Sequence, residues 1–314
     1  MDTVHGEGES ILDLAGFWRR LGAFAIDCVL LGMVGSILGQ LLFGQLARLG
    51  GYGTWLGFAI ALAYFGICNS RINGGQTFGK KVLSVRVVDV HGQLLSLSRS
   101  LCRYTVLGLP FFLNGMSIDP QRPMPWLVYL VALIFIGGGL SIIYLYIFNR
   151  RTRQSLHDLA VGSYVVRVEP RLPVKPLASL WQGHFVVLAL LAVAGLAAPV
   201  VGERVSHSQG LAGLLPAYSL LLKQPHVVNV MVTNGWVSMN GQAARHYLSA
   251  QLVLDTSQID YDVLANNAAH LMAANYPDIA SKDAVVVDLI YGYNIGISSA
   301  RKVHRYSFTP QELR

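Results

Sequence analysis

Long unbroken apolar runs fill the first two-thirds of the chain and are absent from the last third. Residues 21–43, 52–68, 126–148 and 181–201 carry one formal charge among them, Asp27. A helix crosses the hydrocarbon of a bilayer with about 20 residues, so each run predicts a spanning helix. Four of the five tryptophans, Trp18, Trp55, Trp126 and Trp181, lie at or near the run ends, where an amphipathic ring sits at the membrane interface. A fifth run, residues 104–118, is short and interrupted by Pro110.

Charge placement decides how to read that fifth run. Residues 69–103 carry Arg71, Lys80, Lys81, Arg86, Arg99 and Arg103 against Asp89. Residues 149–175 carry Arg150, Arg151, Arg153, Arg167, Arg171 and Lys175 against Asp158 and Glu169. Basic loops stay cytoplasmic, which requires an even number of crossings between these segments, so 104–118 reads as a thin or tilted second crossing; the alternative is a re-entrant or surface helix with one basic loop on the wrong side. The resulting topology has five spans. The N-terminus is cytoplasmic, the short loops 44–51 and 119–125 are outside, and residues 203–314 follow the last span to the outside.

The polar pieces show other periodicities. In the cytoplasmic loop 71–103, residues 82–88 are β-branched and partly alternating, His91-Gly92 supplies a turn, and 94–97 supply the return strand of a hairpin. Beyond the last span, the apolar stretch 211–222, broken by Pro216, is suited to the membrane surface. Residues 227–233 read as a strand, Asn234-Gly235 as a hairpin turn and 236–239 as its partner. Residues 247–254, 284–290 and 302–308 are further strands, and 260–276 a helix stopped by Pro277. The fold class expected is an α-helical multi-span membrane core with a small α+β extracytoplasmic C-terminal domain. Its parts are an acidic cytoplasmic segment 1–16, a core 17–168, a fifth helix within 176–202 and the outer domain 203–314.

Composition supports this division. Charged residues make up 13 % of the 314 and the formal net charge is +7. About a quarter is usual for soluble domains. All of the excess charge lies in residues 1–202, and residues 203–314 are neutral. A basic front explained by membrane orientation removes the reason to invoke nucleic acid. Residues 1–16 carry Asp2, Glu7, Glu9 and Asp13 without Lys or Arg, which is unlike a signal peptide. Cys28, Cys68 and Cys102 fit no zinc or redox spacing and read as small apolar fillers.

Candidate chemistry is sparse. Asp27 lies in the first span, where a carboxylate needs a partner or water. Arg20 lies seven residues earlier on the same face, about 10 Å along the helix, so a partner on another segment is expected. An ion or proton site and a structural ion pair both fit. The cluster Arg150, Arg151 and Arg153 reads as a stop-transfer signal able to touch anionic lipid. After it, His157-Asp158 places an acid at the membrane edge, where it could bind Arg20. Gly74 to Lys81 has the glycines of a phosphate loop without its spacing and reads as a tight turn. The outer-domain histidines have no metal-binding spacing and no nucleophile elbow is present. No enzyme activity, metal or cofactor is therefore expected. A homo-oligomer is possible, and Gly35 and Gly39 are spaced for close helix packing.

Three blocks share a resemblance. Arg19-Arg20-Leu21-Gly22-Ala23-Phe24-Ala25-Ile26-Asp27 is similar to the opening of the RDD family of bacterial membrane proteins. Gly75-Gln76-Thr77-Phe78-Gly79-Lys80, with Val85-Arg86-Val87-Val88-Asp89 and Gly92, resembles its middle. Gln154-Ser155-Leu156-His157-Asp158 through Val166 resembles its end, where Thr is more usual than Ser163. The resemblance implies that Arg20, Asp27 and Asp158 are the signature residues, supported by Gly75, Thr77, Gly79, Lys80 and His157. It places the chain in the bacterial cytoplasmic membrane. Some members have been proposed as transporters, including cation/proton antiporters. Two functions follow: a scaffold whose outer domain, 203–314, binds an envelope protein, or a small transporter using an intramembrane Asp-Arg site.

Overall fold

The computed structural model describes residues 12–114, 124–169, 177–206, 213–238 and 244–313. The stretch 115–118, the loop residues 119–123, Arg171, Lys175, Leu211 and Met239 lie outside them. The chain divides into two compact units, Met1–Gly35 with Thr54–Pro199, and Ser36–Gly53 with Val200–Arg314.

The helices of the first unit follow the apolar runs. They are α1 (Phe17–Leu41), of which residues 17–35 belong to this unit, α3 (Gly53–Cys68), α6 (Pro125–Phe148) and α8 (Gly183–Ser206), of which residues 183–199 belong to it. These four are long and apolar enough to cross a membrane. The short α2 (Phe43–Arg48) between α1 and α3 belongs to the second unit. The run expected as a fifth crossing, 104–118, falls in part on α5 (Leu97–Phe112), which is capped by Ser96, continuous through Pro110 and not among the four helices long and apolar enough to span. Its 16 residues reach about 24 Å, and its first half carries Arg99 and Arg103.

The glycine run in α6 serves close packing. Leu133–Gly138 forms a π-helical turn, and the Ser141 hydroxyl donates to the Gly137 carbonyl at 2.6 Å. Gly195 of α8 faces this turn. A methyl group there would stand 3.0 Å from the Gly137 nitrogen and 3.1 Å from Leu133 Cα. Gly138 and Gly139 lie against Pro110. Cys28 and Cys102 lie exposed on helix surfaces rather than filling a core.

The loop hairpin does not form. Strand β1 (Val85–Asp89) pairs antiparallel with β2 (Ser163–Arg167), over seventy positions later, and Leu14 adds a bridge to Val166. The turn at His91-Gly92 is present, with Gly92 at φ +76 and Asp89 accepting from the His91 and Gln93 amides. The chain then enters α5 instead of returning as a strand. Leu95 is needed elsewhere: it is fully buried in a small core with Ala15, Ala23, Val85, Val87 and Val165. This sheet joins the two basic segments and the residues preceding α1.

In the second unit, a four-stranded sheet runs in the order β3 (Val227–Val237), β4 (Arg245–Leu254), β5 (Ala284–Asn294) and β6 (Ser299–Phe308). Strands β4 and β5 are parallel and joined through a helix; the other pairs are antiparallel. That helix spans Tyr261–Asn275, with Asp260 as N-cap. Pro277 holds Tyr276 extended. Alternate residues Leu248, Ala250, Leu252 and Leu254 of β4 and Val285, Val287 and Leu289 of β5 pack beneath it. On the other face, Arg305 grips the buried Asp288 carboxylate through two bonds of 2.7 and 2.9 Å.

Two readings of this region are corrected. Asn234-Gly235 is not a turn, because β3 continues through it and pairs with β4. Gly235 makes room for Tyr247, whose ring a Cβ would meet at 2.8 Å, and Asn234 donates its amide to the Tyr276 hydroxyl. The apolar stretch near Pro216 is not left for the membrane surface. Leu214–Leu221 is a helix whose Leu214, Ala217 and Leu221 are buried, with Leu214 and Leu221 in the core of the domain. Pro216 is tolerated in its first turn. Residues 36–53 belong to the same unit. Their short helix α2 (Phe43–Arg48) packs on β5, with Phe43 edge-on to Tyr291 and Tyr293. The Tyr293 hydroxyl occupies the place a side chain at Gly39 would take.

The α6–α8 contact gives a direct test. Gly195→Leu overpacks it and should cost about 1–3 kcal/mol, read as a lower melting temperature of detergent-solubilised protein. Gly202→Leu in the same helix, where a Cβ meets nothing within 4 Å, should not.

Candidate functional site

Two buried carboxylates organise the first unit, and they are held in different ways. Asp27 of α1 is fully buried. Its Oδ1 accepts from the Tyr64 hydroxyl and the Gly79 amide, both at 2.7 Å, and its Oδ2 accepts from the Thr77 hydroxyl at 2.5 Å. Thr77 is also the N-cap of the short helix α4 (Phe78–Val82), accepting from the Lys80 amide. Tyr64 accepts from the Phe78 amide at 3.1 Å while donating to Asp27.

This geometry accounts for the glycine-rich segment. Gly75 turns at φ +72, where a side chain would stand 2.5 Å from the Val87 carbonyl. Gln76 donates to the Val85 carbonyl, tying the turn to β1. Gly79 lies so close to α1 that a Cβ would sit 2.0 Å from the Ala23 carbonyl oxygen. A glycine is therefore required for the amide to reach Asp27. The segment closes over a carboxylate and is not a phosphate loop.

Asp158 lies in α7 (Leu156–Val161), where it forms a reciprocal capping box with Ser155. Its Oδ2 accepts from Arg20 of α1 at 2.7 Å and from the Ser155 amide at 3.1 Å. Its Oδ1 accepts from Nη2 and Nε of Arg103 in α5, at 2.6 and 3.0 Å, and from Ser163 of β2 at 3.1 Å. The three charged side chains are 1–8 % exposed. The second guanidinium arm of Arg20 donates to the Arg153 carbonyl, and its plane lies over Tyr146. Burial alone would raise the Asp158 carboxyl. The charges around it, that of Arg103 foremost, outweigh burial and hold it well below the usual carboxylate range.

The expected Arg20–Asp158 pairing is thus present, whereas Asp27 is held by hydroxyl and amide donors rather than an arginine. Sequence reasoning missed Tyr64 and Arg103. Arg103 was counted only as loop charge, although it directly precedes the apolar run at Tyr104. His157 is buried with Nε2 3.5 Å from Asp158. Burial, reinforced by Arg103, Arg20 and Lys80, depresses it to about 3, so it is neutral at pH 7. Arg153 is partly committed, donating to the Leu14 carbonyl at 2.7 Å, while Arg150 and Arg151 are exposed. No group of three His, Cys, Asp or Glu able to hold a metal occurs among the described residues.

Asp158→Asn leaves two buried guanidiniums without their counter-charge and should cost about 3–5 kcal/mol, seen as loss of folded protein in size-exclusion chromatography. For His157 the folded value lies below the ordinary 6.5. The unfolded chain takes up the proton first, so stability falls as pH drops from 6.5 towards 3. His157→Gln should therefore lose less melting temperature than the parent between pH 7 and pH 4.5.

Comparison with known proteins finds similarity over the same part of the chain. The chain is 25 % identical over 156 residues to the uncharacterized protein YckC of Bacillus subtilis (strain 168), an alignment that covers 50 % of this chain and 86 % of the relative. The model of the RDD family matches residues 14–162, a span holding Arg20, Asp27 and Asp158 together with α4, α5 and α7. The match covers just under half of the chain, which is similar to the RDD family there, and the C-terminal extension lies beyond it.

Proposed function

We propose that this protein is a non-catalytic membrane anchor. In this reading the RDD core is a rigid bundle in the bacterial cytoplasmic membrane, and residues 203–314 are an extracytoplasmic domain that binds another envelope protein. The observation that carries the reading is the enclosure of Asp27. Its two oxygens take three protein donors and the side chain is fully buried. A carboxylate that exchanges a proton or cation needs an oxygen that water or the ion can reach, and Asp27 is 0 % exposed. Asp158 is likewise enclosed, by two arginines.

The proposed orientation has its own support. Fourteen of the sixteen basic residues in 1–202 fall on segments assigned to the cytoplasm, following the bias of basic loops. The loop 44–51 and the C-terminal domain, both assigned to the outside, belong to one compact unit. The β1–β2 sheet unites segments assigned to the inside. For the partner, β3 is an edge strand of the sheet and carries exposed Val228, Met231, Trp236 and Val237. An extended segment of the partner would add to this edge.

Photo-crosslinking from position 236 of the full chain in native membranes should trap a discrete partner, and Met231→Asp should abolish the adduct. In parallel, Asp27→Asn should lower the melting temperature while leaving cation/proton exchange of reconstituted vesicles at the empty-vesicle level. Exchange by the parent chain that Asp27→Asn removes would favour transport instead.

A further inference from the structure

The first unit contains a cavity of about 330 Å³, within the range of small-molecule sites. One end is polar. Arg20, Asn69, Lys80, Arg103 and His157 line it. The rest is apolar, walled by Phe24 of α1, Phe65 of α3, Leu107 of α5 and Ile143 of α6. The cavity therefore has a cationic head and a greasy body.

The polar end is incompletely satisfied. Asn69 Oδ1 and His157 Nδ1 are buried and have no hydrogen-bond partner among the described residues, although the two residues are 1 % and 5 % exposed. A buried polar atom without a partner is destabilising. His157 turns Nε2 towards Asp158, which leaves Nδ1 as an acceptor. Both orphaned atoms therefore call for donors such as hydroxyl groups.

The charges at this end do not balance either. Arg20, Lys80 and Arg103 face two carboxylates, Asp27 and Asp158, neither of which lines the cavity and both of which are engaged by other donors. One positive charge remains. Lys80 is half-buried, with its ammonium 6.0 Å from the centre of the Phe65 ring. Burial, and then the charge of Arg103, pull its pKa down to about 7, so an anion at this end would favour its charged form.

We propose that this cavity is a binding site for an acidic phospholipid with a hydroxylated headgroup. The phosphodiester sits against Arg20, Lys80 and Arg103, the headgroup hydroxyls donate to Asn69 and His157, and an acyl chain lies along Phe24, Phe65, Leu107 and Ile143. A phosphodiester carries the single negative charge the site lacks, and the apolar walls distinguish a lipid from free phosphate. This site is separate from the exposed Arg150 and Arg151.

Native mass spectrometry of the delipidated full chain tests it, with phosphatidylglycerol, phosphatidylcholine or inorganic phosphate added back. One phosphatidylglycerol per chain should be retained at least tenfold more strongly than phosphatidylcholine. Lys80→Gln should lower that occupancy at least fivefold, and Lys80→Arg should restore it. Leu107→Trp, which fills the apolar end, should exclude the lipid. Each variant's melting temperature with and without lipid identifies any that is misfolded, and the Lys80→Arg rescue keeps the test decisive if one is. Equal retention of the two lipids, or unchanged retention in both Lys80→Gln and Leu107→Trp, would overturn the proposal. Binding of inorganic phosphate without phosphatidylglycerol would also overturn it, by showing a free-anion site.

Discussion

A carboxylate shared by two guanidiniums out of water sets the terms for the first unit. Asp158 alone would be forced towards its neutral form, and Arg20 and Arg103 have no neutral form to retreat to. None of the three can be buried without the others. Desolvating charged groups costs several kcal/mol each even after relaxation, so the arrangement survives because its lone pairs and N–H groups are also used. Ser155, Ser163 and the Arg153 carbonyl complete it. Its main effect is specificity, since α1, α5, α7 and β2 must meet at one point in one register.

Asp27 obeys the same constraint by another route. It gathers a tyrosine hydroxyl, a threonine hydroxyl and a backbone amide, each fixed by local structure. The backbone of α4 must then approach α1 more closely than any side chain at position 79 would permit. Arg20, Asp27 and Asp158 thus belong to two closures, one by cations and one by neutral donors. Lys80 follows Gly79 directly, and its side chain reaches the cavity lined by Arg20 and Arg103. The two closures therefore flank one polar region.

Much of this was legible from residue types. Apolar length marked the four long helices, and the helix at Tyr261–Asn275 announced itself through its cap and its proline stop. Asp158 was legible as a partner for Arg20 because an acid beside a basic cluster is conspicuous. What stayed hidden depends on contacts distant in sequence. Nothing near β1 reveals that its partner is β2, and a turn at His91-Gly92 suits a helix entry as well as a hairpin. Asn234-Gly235 has turn chemistry, but Tyr247 and Tyr276 use those residues within a straight strand. Tyr64 gave no signal, since a tyrosine in an apolar run looks like any other interfacial ring.

The wide spacing of Arg20 and Asp158 has a consequence for biogenesis. The two lie 138 positions apart, and ribosomes add roughly 5–20 residues each second, so Arg20 waits on the order of 7–28 s for its counterion to be made. Arg103 waits a shorter time for the same group. Throughout that interval the nascent bundle holds cationic side chains that it cannot yet seal. The short helix α7 and strand β2 therefore act as a latch, closing on Arg20 and Arg103 only after α1, α3, α5 and α6 have been made.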